Sequence, residues 1–163
     1  VTAEVRHHVA VRPPEAVAAA LERWRARWDP VMAARAPAHV TVVYPEELPD
    51  PAAQIAGVAA LVRAPFRLRL GAVRREGAWL YVAVDDLDGG WQDVRDRLVP
   101  HGRLDVGPPH LTLVHPRTSS SAEAAWRALR GRGVDRTVTV GALLVTATSA
   151  AGCTVLHRTP LVR

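Results

Sequence analysis

A chain of 163 residues, 48% hydrophobic and 23% charged, has the size of one globular domain and enough apolar surface to bury a core. Its formal charge of +5 favours anionic ligands through long-range attraction, but every basic residue is an arginine amid abundant alanine, so the bias carries modest weight. The single cysteine, Cys153, excludes an intrachain disulfide and a cysteine-rich zinc site and makes a cytoplasmic setting the simple expectation.

Residues 5–11 favour β structure and run into Pro13-Pro14, which predicts a first strand with His7 and His8 either as an exposed pair or at the border of a groove. Glu4, Arg6 and the two histidines leave no apolar centre for a signal peptide. Residues 15–28 predict a helix, with Val17, Leu21, Trp24 and Trp28 on one face and Asp29-Pro30 as its stop. Residues 38–44, between Pro37 and Pro45, predict a short strand. Asp50-Pro51 supplies a cap and a first-turn proline for a helix with Ile55, Val58, Leu61 and Val62 along its apolar face, closed by Pro65. Residues 66–73 and 79–84 alternate about a turn at 74–77, an antiparallel hairpin with Arg67 and Arg69 on its polar face. A helix at 91–98, a strand at 109–115 and a helix at 121–130 follow. The uncharged run 137–156 is long enough for a membrane span, but its threonines, glycines and β-branched alternation predict two strands joined near Ala150-Ala151-Gly152. The prolines and glycines are scattered, so residues 1–163 are expected to form one α+β domain, with no membrane or obligate protein partner.

Two segments repeat in register: Pro37-Ala38-His39-Val40-Thr41-Val42-Val43-Tyr44-Pro45 and Pro108-Pro109-His110-Leu111-Thr112-Leu113-Val114-His115-Pro116. A repeat about half a small domain apart suggests two similar lobes about a pseudo-two-fold axis, which would bring His39 and His110 to one cleft. Strand side chains two apart share a face, so each histidine and its threonine, Thr41 or Thr112, look into that cleft while Val40, Val42, Leu111 and Leu113 face the core. Two imidazoles near neutrality can serve as base and acid at one pH, and two hydroxyls can donate to phosphoryl oxygens. That set suffices for in-line displacement at phosphorus without a metal or other cofactor.

On these residues the chain resembles the 2H phosphoesterase superfamily, whose hallmark is a pair of His-x-(Thr/Ser)-x motifs. The string from His39 to Pro45 is similar to the bacterial 2′-5′ RNA ligase-like branch. The resemblance implies a bilobal α+β fold, two pseudo-symmetric antiparallel-sheet lobes with flanking helices around a central groove. It also implies hydrolysis of cyclic phosphates or 2′,5′-linked phosphodiesters, with an RNA end or small nucleotide as substrate. A 2′,3′-cyclic phosphate would open to a 2′-phosphate, with His110 activating water, His39 protonating the leaving 3′ oxygen, and Thr41 and Thr112 holding the phosphate. The near symmetry allows the base and acid roles to be exchanged. Many relatives carry an arginine shortly after the second motif; here the residues are Val114-His115-Pro116-Arg117. Either His115 substitutes as a pH-dependent cation or Arg117 reaches back. Tyr44, in the matching place after the first motif, is positioned to stack on a base or to pack. A non-catalytic nucleotide-binding module and a zinc site built on His39, His110 and His115 are the rival readings. A serine hydrolase is disfavoured, because no Gly-x-Ser-x-Gly occurs.

Overall fold

In the computed structural model, which describes residues 4–101 and 103–162, the alternating segments become two four-stranded antiparallel sheets. The first contains β1 (Arg6–Val11), β2 (Val40–Val43), β7 (Ala142–Ser149) and β8 (Gly152–Pro160), in the order β2-β1-β7-β8. The second contains β3 (Phe66–Glu76), β4 (Trp79–Asp86), β5 (His110–Val114) and β6 (Gly133–Val140), in the order β5-β4-β3-β6. Among the described residues five helices flank them: α1 (Glu15–Trp28), α2 (Pro30–Arg35), α3 (Pro51–Ala60), α4 (Gly90–Leu98) and α5 (Ala122–Leu129). None of them is long and apolar enough to cross a membrane. The fold is α+β, as the element order predicts.

Each repeated segment forms the edge strand of its own sheet, and the two edges, β2 and β5, pack against each other. Their phase is set by burial. Val40 and Val42, Leu111 and Leu113 are at most 2% exposed within the hydrophobic core, and burying each such side chain contributes about 1.5–3 kcal/mol. A slip of one residue would expose all four and bury the histidines and threonines instead, so this register wins by a wide margin.

Four local expectations are corrected. Asp29-Pro30 stops α1 and also starts a six-residue helix, α2: the Asp29 carboxylate accepts from Met32 N (3.0 Å) with proline in the first turn, the same arrangement that opens α3 at Asp50-Pro51. The first hairpin is longer than its alternation suggests and turns at Gly77, which has φ of 56°. Residues 137–156 are not one hairpin. The segment to Val140 belongs to β6, which pairs with β3 in the second sheet, and only the part after Gly141 forms the hairpin β7-β8 of the first. Buried positions fall at Val138 and Val140 before that glycine and at Leu143 and Val145 after it, so the alternation changes phase where the chain changes sheets. Val62 lies beyond the end of α3 and is 73% exposed, while Gln54 is buried on that helix and donates to the backbone oxygens of His7 (3.1 Å) and Leu48 (2.6 Å).

Candidate active site

His39 immediately precedes β2, and His110 is the first residue of β5. Each ring makes the same bond: Nδ1 of His39 donates to the carbonyl of Pro37 (2.8 Å), and Nδ1 of His110 to that of Pro108 (3.1 Å). A carbonyl only accepts, so both rings are held as the tautomer that leaves Nε2 with its lone pair. The repeated proline two residues upstream thus has a function in the site, because its carbonyl fixes the imidazole.

The two rings, Thr41 and Thr112 line one cavity of about 150 Å³, together with Tyr44, His115, Trp79, Arg25 and Met32. Trp79 Nε1 donates to the Thr112 hydroxyl (3.2 Å), leaving that hydroxyl's own proton free to point at a ligand. Trp91 Nε1 donates to the Thr41 carbonyl (2.9 Å) and ties α4 to β2. The Tyr44 hydroxyl, from the segment after β2, lies 3.3 Å from Nε2 of His110 on the other sheet. Trp79 also packs edge-on against His110, with ring centroids 4.7 Å apart. A more open recess of about 330 Å³ between α4 and residues 103–107 contains neither motif.

The turn after each motif strand hangs on a carboxylate. Glu47, whose side chain is fully buried, accepts from Tyr44 N (2.9 Å) and Leu104 N (2.9 Å) and pairs with the buried Arg95 of α4 (2.6 and 3.0 Å). Arg95 also donates to the Val42 carbonyl (2.6 Å). On the other side Asp29, 0% exposed, accepts from His115 N (2.9 Å) and the Thr118 hydroxyl (2.6 Å). Asp29 caps α2, so one carboxylate joins the α1–α2 junction to the turn following β5.

Burial is the main force on the site's ionisations. It holds the His39 imidazolium below its ordinary range; the Pro37 bond opposes this, and the cations Arg25 and Arg12 add to it. Burial also lowers His110, against the Pro108 bond and the nearby Glu76 carboxylate, both of which favour its charged form. His115 is lowered by burial and by Arg117. Tyr44 is pushed up to about 12 by burial, so its hydroxyl stays protonated and can donate to His110.

Of the residues singled out in the sequence, His39, Thr41, Tyr44, His110, Thr112 and His115 meet at this cavity. Arg117 does not. It is exposed, and its backbone N–H donates to His115 Nδ1 (3.1 Å). His8 is not an exposed residue either: its ring stands 6.2 Å from that of His39, its Nδ1 is buried without a partner among the described residues, and burial lowers it to about 3. Among the described residues no three His, Cys, Asp or Glu side chains are grouped to hold a metal.

The sequence profile of the 2′-5′ RNA ligase superfamily matches residues 13–150. The chain belongs to that superfamily. In the wider grouping this places it in the 2H phosphoesterase superfamily. No curated protein matches it by sequence. Solved structures do: Escherichia coli LigT complexed with 3′-AMP, at 18% identity and a TM-score of 0.69 over 98% of this chain and 99% of that one, and LigT complexed with ATP, at 17% and 0.69 over 97% and 98%. A protein solved as a phosphoesterase aligns at 15% identity and 0.64 over 98% and 100%. At such identities the likeness is one of fold.

For a 2′-5′ RNA ligase superfamily chain, the unforeseen site residues are Arg25, Met32 and Trp79. Arg25 carried a signal: it sits four residues after Leu21 on the apolar face of α1, where a charge is out of pattern. Trp79 and Met32 carried none, since an aromatic in a strand and a lone methionine read as ordinary core.

Proposed function

We propose that this protein hydrolyses 2′,3′-cyclic phosphates, on RNA ends or nucleotides, to 2′-phosphates by metal-independent acid–base catalysis. The supporting observation is the matched pair of imidazoles, each locked through Nδ1 to an upstream proline carbonyl, that line one cavity with Thr41 and Thr112. In the reaction, water attacks phosphorus as a neutral imidazole takes its proton, the P–O3′ bond breaks, and an imidazolium delivers a proton to O3′. The two threonine hydroxyls donate to non-bridging oxygens, where negative charge grows in the transition state. The two sheets, related by an approximate two-fold axis through the groove, act as one unit spanning the chain.

The charges around the rings favour a particular division of labour. Arg25 and Arg12 disfavour a proton on His39 and outweigh Glu22, which favours one, whereas Glu76 favours a proton on His110. His39 is therefore the better base and His110 the better acid, an exchange of the roles expected from the resemblance. Tyr44 accompanies His110 through the proton cycle, donating to Nε2 when the ring is neutral and accepting from it when charged.

The experiment is a product-resolved assay with nucleoside 2′,3′-cyclic phosphates in the presence of chelator. Formation of the 2′-phosphate alone is expected. A 3′-phosphate product would overturn the regiochemistry, zinc-dependent turnover would overturn the mechanism, and binding without product would make the protein a nucleotide-binding module. The superfamily match favours including a 2′,5′-linked dinucleotide, because the same groups can cleave that linkage and, run backwards, form it.

A further inference from the structure

Arg25 and Arg95 occupy corresponding places on α1 and α4. Each is 1% exposed, and the carbonyl of each accepts the N–H that ends its helix, from Asp29 (2.7 Å) and Val99 (2.8 Å). Their guanidinium groups have different environments. Arg95 donates to both carboxylate oxygens of Glu47 and to the carbonyls of Val42 and Leu104, so its fork is taken up by protein. Arg25 makes one side-chain bond, from Nη1 to Glu22 (2.8 Å), and Glu22 is itself committed to the backbone N–H of Ala38. Its Nε is buried with no partner among the described residues, and no bond from Nη2 to a described residue is formed.

The unused side of the fork is thus the Nε–Nη2 edge, the one that offers two parallel N–H donors to a pair of oxygens. A buried N–H without an acceptor is costly, and Arg25 lines the cavity that holds both imidazoles and both hydroxyls. The place after the second motif that could have supplied a cation holds His115, whose imidazolium is disfavoured by burial and by Arg117, and Arg117 itself is exposed and does not line the cavity. Nothing else in the cavity lining carries a permanent positive charge.

We infer that Arg25 is the anion-binding residue of this protein, its Nε–Nη2 edge taking two non-bridging oxygens of a phosphate seated between His39 and His110. This deepens the proposed reaction and rests on it for the identity of the substrate, but not for the binding of phosphate. The cation reaches the ligand from the long helix after β1 instead of from the turn after β5, and because a guanidinium does not titrate, anion binding keeps its strength over the pH range in which His115 would lose it.

The test measures Arg25→Met and Arg25→Lys beside the wild type, with kcat and KM for a nucleoside 2′,3′-cyclic phosphate, and calorimetric binding of the nucleoside 2′-phosphate and of the bare nucleoside. Arg25→Met should weaken 2′-phosphate binding by about 10- to 100-fold, the range of a charge-assisted hydrogen bond, and leave nucleoside binding within twofold. Millimolar guanidinium should restore part of the turnover. Arg25→Lys keeps the charge without the fork and should fall between; it serves also if the methionine variant does not fold. Unchanged phosphate binding in both variants, or equal loss for phosphate and nucleoside, overturns the inference while leaving the reaction intact. A wild type that binds the 2′-phosphate through Arg25 but turns nothing over overturns the reaction and keeps the inference. A wild type that binds no phosphate overturns both.

Discussion

The surroundings of His39 and of His110 start from the same nine-residue pattern and diverge outside it. Within the pattern the match extends to the proline carbonyl that holds each ring. Around His39 the supports are a second histidine, His8, and the buried Glu47–Arg95 pair; around His110 they are an aromatic edge from Trp79 and the capping carboxylate Asp29. On the proposed reaction the two imidazoles must act on one phosphorus and so need the same geometry, whereas the parts that only anchor them are free to differ.

If the two halves contribute equally, His39→Ala and His110→Ala each lower kcat/KM by about 10²–10⁴-fold, and the double variant falls little further because the pair acts as a unit. Substantial turnover in either single variant would break the equivalence. The anchors should separate the halves in stability. Glu47→Ala leaves Arg95 buried without its carboxylate and should cost about 3–5 kcal/mol in urea unfolding. Arg25→Met should cost much less, since only one bond to a part-exposed Glu22 is lost; equal losses would make Arg25 a structural strut like its counterpart.

The first half has a second histidine packed beside its motif. His8 sits at about 3 in the folded chain against 6.5 when unfolded, so on acidification the unfolded chain takes up the proton first. Stability is full above 6.5 and declines as pH falls toward 3. His8→Phe should remove on the order of 5 kcal/mol of that acid-side loss, read as a flatter dependence of Tm on pH; an unchanged slope would place the loss elsewhere. The smallest contrast is between the hydroxyls. Thr41→Val and Thr112→Val should each lower kcat by about 10²-fold, with the larger effect at Thr112, whose hydroxyl Trp79 orients. Trp79→Phe should bring the two closer, and a larger loss at Thr41 would reverse the reading.

Much of the site was legible because its chemistry is written twice at strand spacing. The α+β class, four of the five helices and the two motif strands followed from period and punctuation. The short α2 escaped because Asp-Pro signals both an end and a beginning, and only the Met32 N–H bond to Asp29 decides between them. The sheet change at Gly141 escaped because the end of β6, from Thr137, and β7 are alike uncharged and rich in threonine and valine; their partners, β3 and β1, lie far away in sequence. At the fifth position after each histidine the residue types were visible but not their contacts: Tyr44 reaches across to His110, and His115 reaches the cavity where Arg117 does not.

By itself the amino-acid order determined which side chains share a face, since β pleating and helical pitch are local properties of the backbone. Tertiary packing decided which faces meet. The approach of two sheet edges, the fork left empty on α1 and the filled one on α4 depend on contacts between residues tens of positions apart, and no local periodicity encodes such pairings.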